Sequence, residues 1–128
     1  TSIMEMDKSI NVFGEELEIC RRDPITGFYR DNKCNTCKGD FGSHTVCIET
    51  SEAFLEYTRS KGNDLSTPVP EYNFKGLKPG DSWCVCAARW LEAVESDMAP
   101  RLHLKSTHIK ALEIIPMALL KKYAVDLN

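Results

Sequence analysis

The sequence predicts an α+β fold: a single compact domain whose short strands form a mixed or antiparallel sheet with about three helices packed on it. Three observations predict it. Strand-like alternation and helix-like apolar stripes both occur, but without the regular strand-helix-strand order of a parallel sheet. The 128 residues match the size of one ordinary domain. The hydrophobic share of 42% is enough for a real core.

Taken in order, residues 1–10 read as a flexible N-terminal tail and 11–128 as the domain. Asp23-Pro24 and Thr26-Gly27 punctuate short apolar pieces, Leu17 to Cys20 and Phe28 to Arg30, which read as short strands. HTVCIE, His44 to Glu49, is a better strand, β-branched and with Val46 and Ile48 on the same face as His44. A helix follows, with Ser51 as N-cap, Glu52 in the first turn, and Phe54, Leu55 and Thr58 on one face. Arg59 and Lys61 suit its last turn, and Gly62 its end. Residues 62–82 hold three prolines and lack a period, and long irregular segments of this kind are often functional.

From Trp83 the pattern is double. WCVCA alternates as a strand, while Ala87, Trp90, Leu91, Val94 and Met98 form a helical stripe that Trp83 also fits. A strand at 83–87 running into a helix at about 89–97 is the reading preferred, with Pro100 marking the stop. Leu102 and Leu104 alternate with His103 and Lys105, and 111–115 is also strand-like, so a hairpin through Thr107, His108 and Ile109 is expected. Pro116 opens a last helix, with Met117, Leu120 and Ala124 facing inward.

The net charge is −3 and the pI about 5.6. The basic pairs Arg21-Arg22 and Lys121-Lys122 are isolated, so a nucleic-acid partner is not expected. No apolar run approaches a membrane span, and the opening residues lack the layout of a secretion signal, so a soluble, cytoplasmic protein is expected. In that setting the six cysteines are expected to be reduced thiols.

The stretches GFYRD, GSHTVC, GNDLSTP, GLKPGD, WCVCAARW and THIKALE resemble those of a mainly bacterial family, domain of unknown function 2237. Six collinear motifs span nearly the whole chain, from about Asn11 to Val125. The resemblance implies no activity, cofactor or partner. It implies that the position of Cys37 is usually not cysteine, whereas those of Cys34, His44 and Cys47 match. At the position of Ala88 that family often has Ser, which would cap a helix beginning at Arg89.

The stretch CNTCKGDFGSHTVC, residues 34–47, concentrates the chemistry. Cys34, Cys37, His44 and Cys47 have a spacing that superficially suits zinc. However, His44 and Cys47 stand three apart on a strand, and so face opposite ways unless the strand starts later or carries a bulge. The alternative is a thiol site, with Cys47 as nucleophile and His44 or His108 as base. Cys84 and Cys86 share a face if WCVCA is a strand, though small buried cysteines also suit a core. His103 is expected in solvent, and His108 in a turn bonding backbone.

For ligand binding, Asp64, Arg89 and Trp83 are the candidates. Asp64 begins a turn that an Asx bond to Ser66 would also explain. Arg89 opposes the helix dipole and so calls for an anion, from Asp64 or from a ligand. The function preferred is a small enzyme or a binding domain for a small anionic ligand, with a cleft built from thiol, imidazole, Asp and Arg groups. The alternative is a noncatalytic interaction module with a metal-stapled loop at 34–47, presenting Tyr72 and Phe74. No cofactor is expected, with zinc as the alternative. No paired-carboxylate, phosphate-loop or serine-triad pattern is visible.

Overall fold

The computed structural model describes residues 5–21 and 25–127. Three strands, β1 (His44–Glu49), β2 (Ser82–Cys86) and β3 (Arg101–Leu102), form an antiparallel sheet in the order β2-β1-β3. Three helices accompany it: α1 (Glu52–Ser60), α2 (Ala87–Glu95) and α3 (Met117–Lys122). The fold is α+β, as the mixed periodicities require.

β1 sits at the centre because its inward residues are fully apolar. Val46 opposes Val85 and Ile48 opposes Trp83 across the β1–β2 ladder. Around them pack Phe54 from α1, Trp90 from α2, Leu102, Leu104, Ile115 and Leu120, all wholly buried. Trp90 meets its polar need by donating from Nε1 to the Pro100 carbonyl at 3.0 Å, and its ring stands edge-on to Tyr123 at 5.2 Å.

The ladder carries one irregularity. His44 pairs with Cys86, yet Val46 pairs with Val85. Two steps on β1 therefore match one step on β2, which makes Thr45 a bulge residue. Its effect is to turn His44 away from the face of Val46 and Ile48, where simple alternation places it. His44 instead shares the face of Cys47, opposite Cys86.

That second face is tied by sulfur. Cys20 is bonded to Cys47 and Cys34 to Cys84. The expectation that the cysteines are reduced is corrected: only Cys37 and Cys86 are free. The sulfurs form a small buried cluster of their own, separate from the main core. Thr26 adds an anchor, since its Oγ1 accepts from the Cys84 N–H at 3.0 Å. Together these bonds fasten Cys20, Thr26 and Cys34 to the outer face of β1 and β2.

Other elements depart from expectation for identifiable reasons. Leu17 to Cys20 is extended, but its amide groups bond scattered partners, Ser9, Lys105 and Asn32, so no ladder forms. Phe28 to Arg30 is a turn closed by the Arg30 N–H on the Gly27 carbonyl at 3.0 Å. Gly27 must lack a side chain, because a Cβ there would strike the Lys33 carbonyl and its φ is +98°. The hairpin expected after Leu102 is replaced by 3-10 turns at Leu104–Ser106 and Ile109–Glu113. The helix expected at 89–97 starts and ends two residues earlier, so Ala88 lies inside it rather than capping it, and Met98 is exposed beyond its end.

The Asp23-Pro24 turn lies outside the described residues, as does the tail before residue 5. The tail residues that are described are bonded to the body. Met6 bridges Cys37, the Asp7 N–H reaches the Thr36 carbonyl at 2.9 Å, and the Ile10 carbonyl accepts from the Ile109 N–H at 3.0 Å. No helix among the described residues is long and apolar enough to cross a membrane.

Candidate active site

Three side chains form a connected set on the outer face. Cys86 Sγ lies 3.2 Å from His44 Nε2. His44 Nδ1 lies 2.7 Å from Asp40 Oδ1. Asp40 has a fully buried side chain, and its other oxygen accepts from the His44 N–H at 2.9 Å and from Thr36 Oγ1 at 2.9 Å. The carboxylate is thus locked by its neighbours, and it in turn orients the imidazole.

Each member is positioned by local structure. Asp40 and Ser43 close a tight turn, with the Ser43 N–H bonding the Asp40 carbonyl at 3.0 Å. Ser43 takes a left-handed φ of 50°, which swings the chain into β1. The Thr45 bulge then aims His44 at Cys86. Cys86 ends β2 and is the N-cap residue of α2, where no side chain caps the helix. Gly42 permits the close approach, since a Cβ there would come within 2.9 Å of the His44 ring and 3.0 Å of the Cys86 sulfur.

The imidazole is pushed up from its ordinary 6.5 to about 9. The hydrogen bond to Cys86 is the largest cause, followed among the raising influences by the charge of Cys86 and then the Asp40 carboxylate, while burial opposes them. His44 is therefore a cation at neutral pH. A cationic imidazole and a helix N-terminus are the surroundings found around nucleophilic thiols.

The set opens into a cleft of about 260 Å³. Phe28 and Arg30 come from the turn that the disulfides hold, Asn63 and Leu65 from the irregular segment, and Trp83 and Cys86 from β2. Phe28 lies nearly parallel to the His44 ring, at 6.3 Å between centroids. The Arg30 guanidinium sits over Trp83 at 5.7 Å.

Of the residues nominated from sequence, His44 and Trp83 are in this cleft and the others are not. Cys47 is bonded to Cys20 and fully buried, which removes it as a nucleophile. His108 is buried: its Nδ1 accepts from the Lys110 N–H and its Nε2 bonds the Lys8 carbonyl at 2.8 Å. Burial holds it below its ordinary value, so it is a neutral structural group. Asp64 makes the expected Asx turn with Ser66 and also bonds Thr67, which lowers it, Thr67 foremost. Arg89 does not reach Asp64. It bonds the Lys61 carbonyl and Glu92, while Asp64 lies 3.9 Å from Arg59. His103 pairs with Glu49 at 3.7 Å. Phe74 packs on Trp83 at 5.3 Å, so of the two aromatics offered for an interface only Tyr72 is exposed.

The alternative zinc set is taken apart by the same geometry. Cys34 and Cys47 belong to different disulfides, His44 faces Cys86, and Cys37 bonds Tyr29, which pushes that phenol up to about 12. A different group does cluster, since the sulfurs of Cys20, Cys34 and Cys47 lie within 4.8 Å of one another. Metal binding needs thiolates, so this group has ligands to offer only when its bridges are open.

Cys86 and Asp40 were the functional residues that sequence reasoning missed. Cys86 was read either as sharing a strand face with Cys84 or as a core residue, with no link to His44, and Asp40 lies in the GDFGS turn four residues before His44, a spacing with no meaning of its own in a loop.

The fold and site define an α+β domain with an internal thiol–imidazole–carboxylate relay at the mouth of a cleft. The chain belongs to the family described as an uncharacterized protein conserved in bacteria (DUF2237), whose model matches residues 10–124. A comparison with curated proteins returned no match.

Proposed function

We propose that the protein is a small thiol-dependent enzyme that cleaves or transfers an activated acyl group, with Cys86 as nucleophile, His44 as acid and base, and Asp40 as its positioning residue. The observation that carries this reading is the 3.2 Å contact of Cys86 with an imidazole held from behind by a buried carboxylate at 2.7 Å. The Cys86 thiolate attacks the acyl carbon of an ester or thioester, and a C–S bond forms. The leaving group departs with the proton of His44. Water then attacks the acyl-enzyme and gives one proton to His44, the C–S bond breaks, and the carboxylic acid leaves with the Cys86 thiolate and the His44 cation restored. Negative charge on the acyl oxygen develops beside the uncapped start of α2, where first-turn N–H groups favour an anion. The two disulfides favour an oxidising compartment over the cytoplasm as the place of work.

The test combines labelling with turnover. At pH 7, iodoacetamide should alkylate Cys86 faster than it alkylates free cysteine, read by mass spectrometry of the peptide carrying it. His44→Gln should slow both this labelling and hydrolysis of a chromogenic ester, the latter by roughly 100-fold or more, with melting unchanged. Labelling of Cys86 at the rate of free cysteine, unaffected by His44→Gln, would overturn the reading.

A further inference from the structure

Arg30 has no role in the chemistry just described, yet the fold takes trouble to place it. Its backbone stands at φ 59°, a left-handed conformation that a non-glycine residue adopts at a cost. The turn around it is over-determined. The Arg30 N–H bonds Gly27, the Asn32 N–H bonds Thr26, and the carboxylate of Asp31 accepts from the Lys33 N–H and from Asn35 Nδ2. Asp31 is therefore spent on the turn. The guanidinium itself lies over the Trp83 ring and lines the cleft that holds Cys86 and His44. Among the described residues, no carboxylate lies within ion-pairing distance of it.

A guanidinium held over an indole ring leaves N–H groups for a planar anion, and a carboxylate matches them with two parallel hydrogen bonds. A lone guanidinium balances one negative charge, which fits a carboxylate better than the double charge of a phosphate. The remaining walls, Phe28, Leu65 and Trp83, are apolar, and about 260 Å³ admits only a small molecule.

Resting on the thiol reading above, we infer that the substrate is a small acyl compound carrying a free carboxylate, which Arg30 receives while Cys86 takes the acyl carbon. The anion-binding cation expected from the sequence thus exists, but it comes from the GFYRD turn and not from α2.

The test compares two reagents that attack the same sulfur and differ in charge, iodoacetate and iodoacetamide. In each, the thiolate forms an S–C bond and iodide leaves. Free thiols favour iodoacetamide. In the wild-type protein the rate ratio of iodoacetate to iodoacetamide at Cys86 should exceed that of free cysteine by tenfold or more. The His44 cation also attracts anions, so the deciding variant is Arg30→Gln. Arg30 is on the surface, and Gln there keeps the same backbone strain. It should lower the ratio severalfold while leaving the melting temperature unchanged. Succinate should protect Cys86 from iodoacetamide in the wild type and not in Arg30→Gln, whereas equimolar inorganic phosphate should protect less. An equal ratio in wild type and Arg30→Gln overturns the inference, and stronger protection by phosphate overturns its choice of carboxylate. The ratio is readable whether Cys86 is fast or slow. Fast iodoacetamide labelling with an unmoved ratio therefore removes only the carboxylate, and slow labelling insensitive to His44→Gln removes only the thiol enzyme.

Discussion

His44 shows how one side chain's surroundings set its charge. Alone it would be mostly neutral at pH 7, but Cys86 in front and Asp40 behind hold its proton to about 9. An NMR titration of the ring should find a midpoint near 9. Replacing Cys86 with Ala removes the largest cause, so the midpoint should fall toward 6.5, with burial and Asp40 then opposing each other. A wild-type midpoint near 6.5 would contradict the contact. The same shift is a stability statement. The folded state holds the proton more tightly than the unfolded chain, so the contribution of His44 is full below 6.5 and is lost as pH rises through about 9. His44 was legible in the sequence as a reactive candidate because histidine beside cysteines always invites the question. Its true partner was not, because Cys86 lies 42 positions away and becomes a neighbour only through strand pairing.

At the level of elements, local signals were reliable wherever they agreed with one another. α1 carried a cap, an acidic first turn and an apolar face, and it begins where those signals place it. The Ser51 hydroxyl accepts from the Phe54 N–H at 3.2 Å. Ser51→Ala should cost about 1 kcal/mol, measured by denaturant unfolding, with Cys86 labelling unchanged. A loss under a few tenths would show that the cap is idle. The junction of β2 and α2 had conflicting signals, since WCVCA alternates while Trp83 also fits the helical stripe. The structure resolves this with no loop at all, so the strand's last residue is the helix's cap. The 3-10 turns at 104–113 were misread as strands because apolar residues there point inward without regular ladder partners, which periodicity alone does not reveal.

Across the whole molecule, the two disulfides cross-link positions 27 and 50 residues apart. Loops of this size are typically worth about 2–4 kcal/mol each, less where the two overlap as here. Opening both should therefore lower the melting temperature by on the order of 10 °C. The check is a melt with and without strong reductant, with thiol titration to verify the opening; an unchanged melt with six titrated thiols would deny the bridges a structural role. Reduction should also dull the preference of Cys86 for iodoacetate, because the turn bearing Arg30 is fastened by these bonds. Cysteine pairing was hidden from the sequence for a general reason: six cysteines allow many connectivities, and spacing selects none of them.

The Thr45 bulge means that the direction of the imidazole is fixed by counting. Residues along a strand alternate as odd and even, and one extra position exchanges the two classes for everything before it. Substitutions between Asp40 and Val46 leave that count intact, and Phe41, 88% exposed, has room for many. Insertions and deletions do not. A chain lacking Thr45 would still bury Val46 and Ile48, but would send His44 toward the core and leave Cys86 without its partner. Related chains that keep this chemistry should keep Gly42 and the single extra position at Thr45, while varying freely at Phe41.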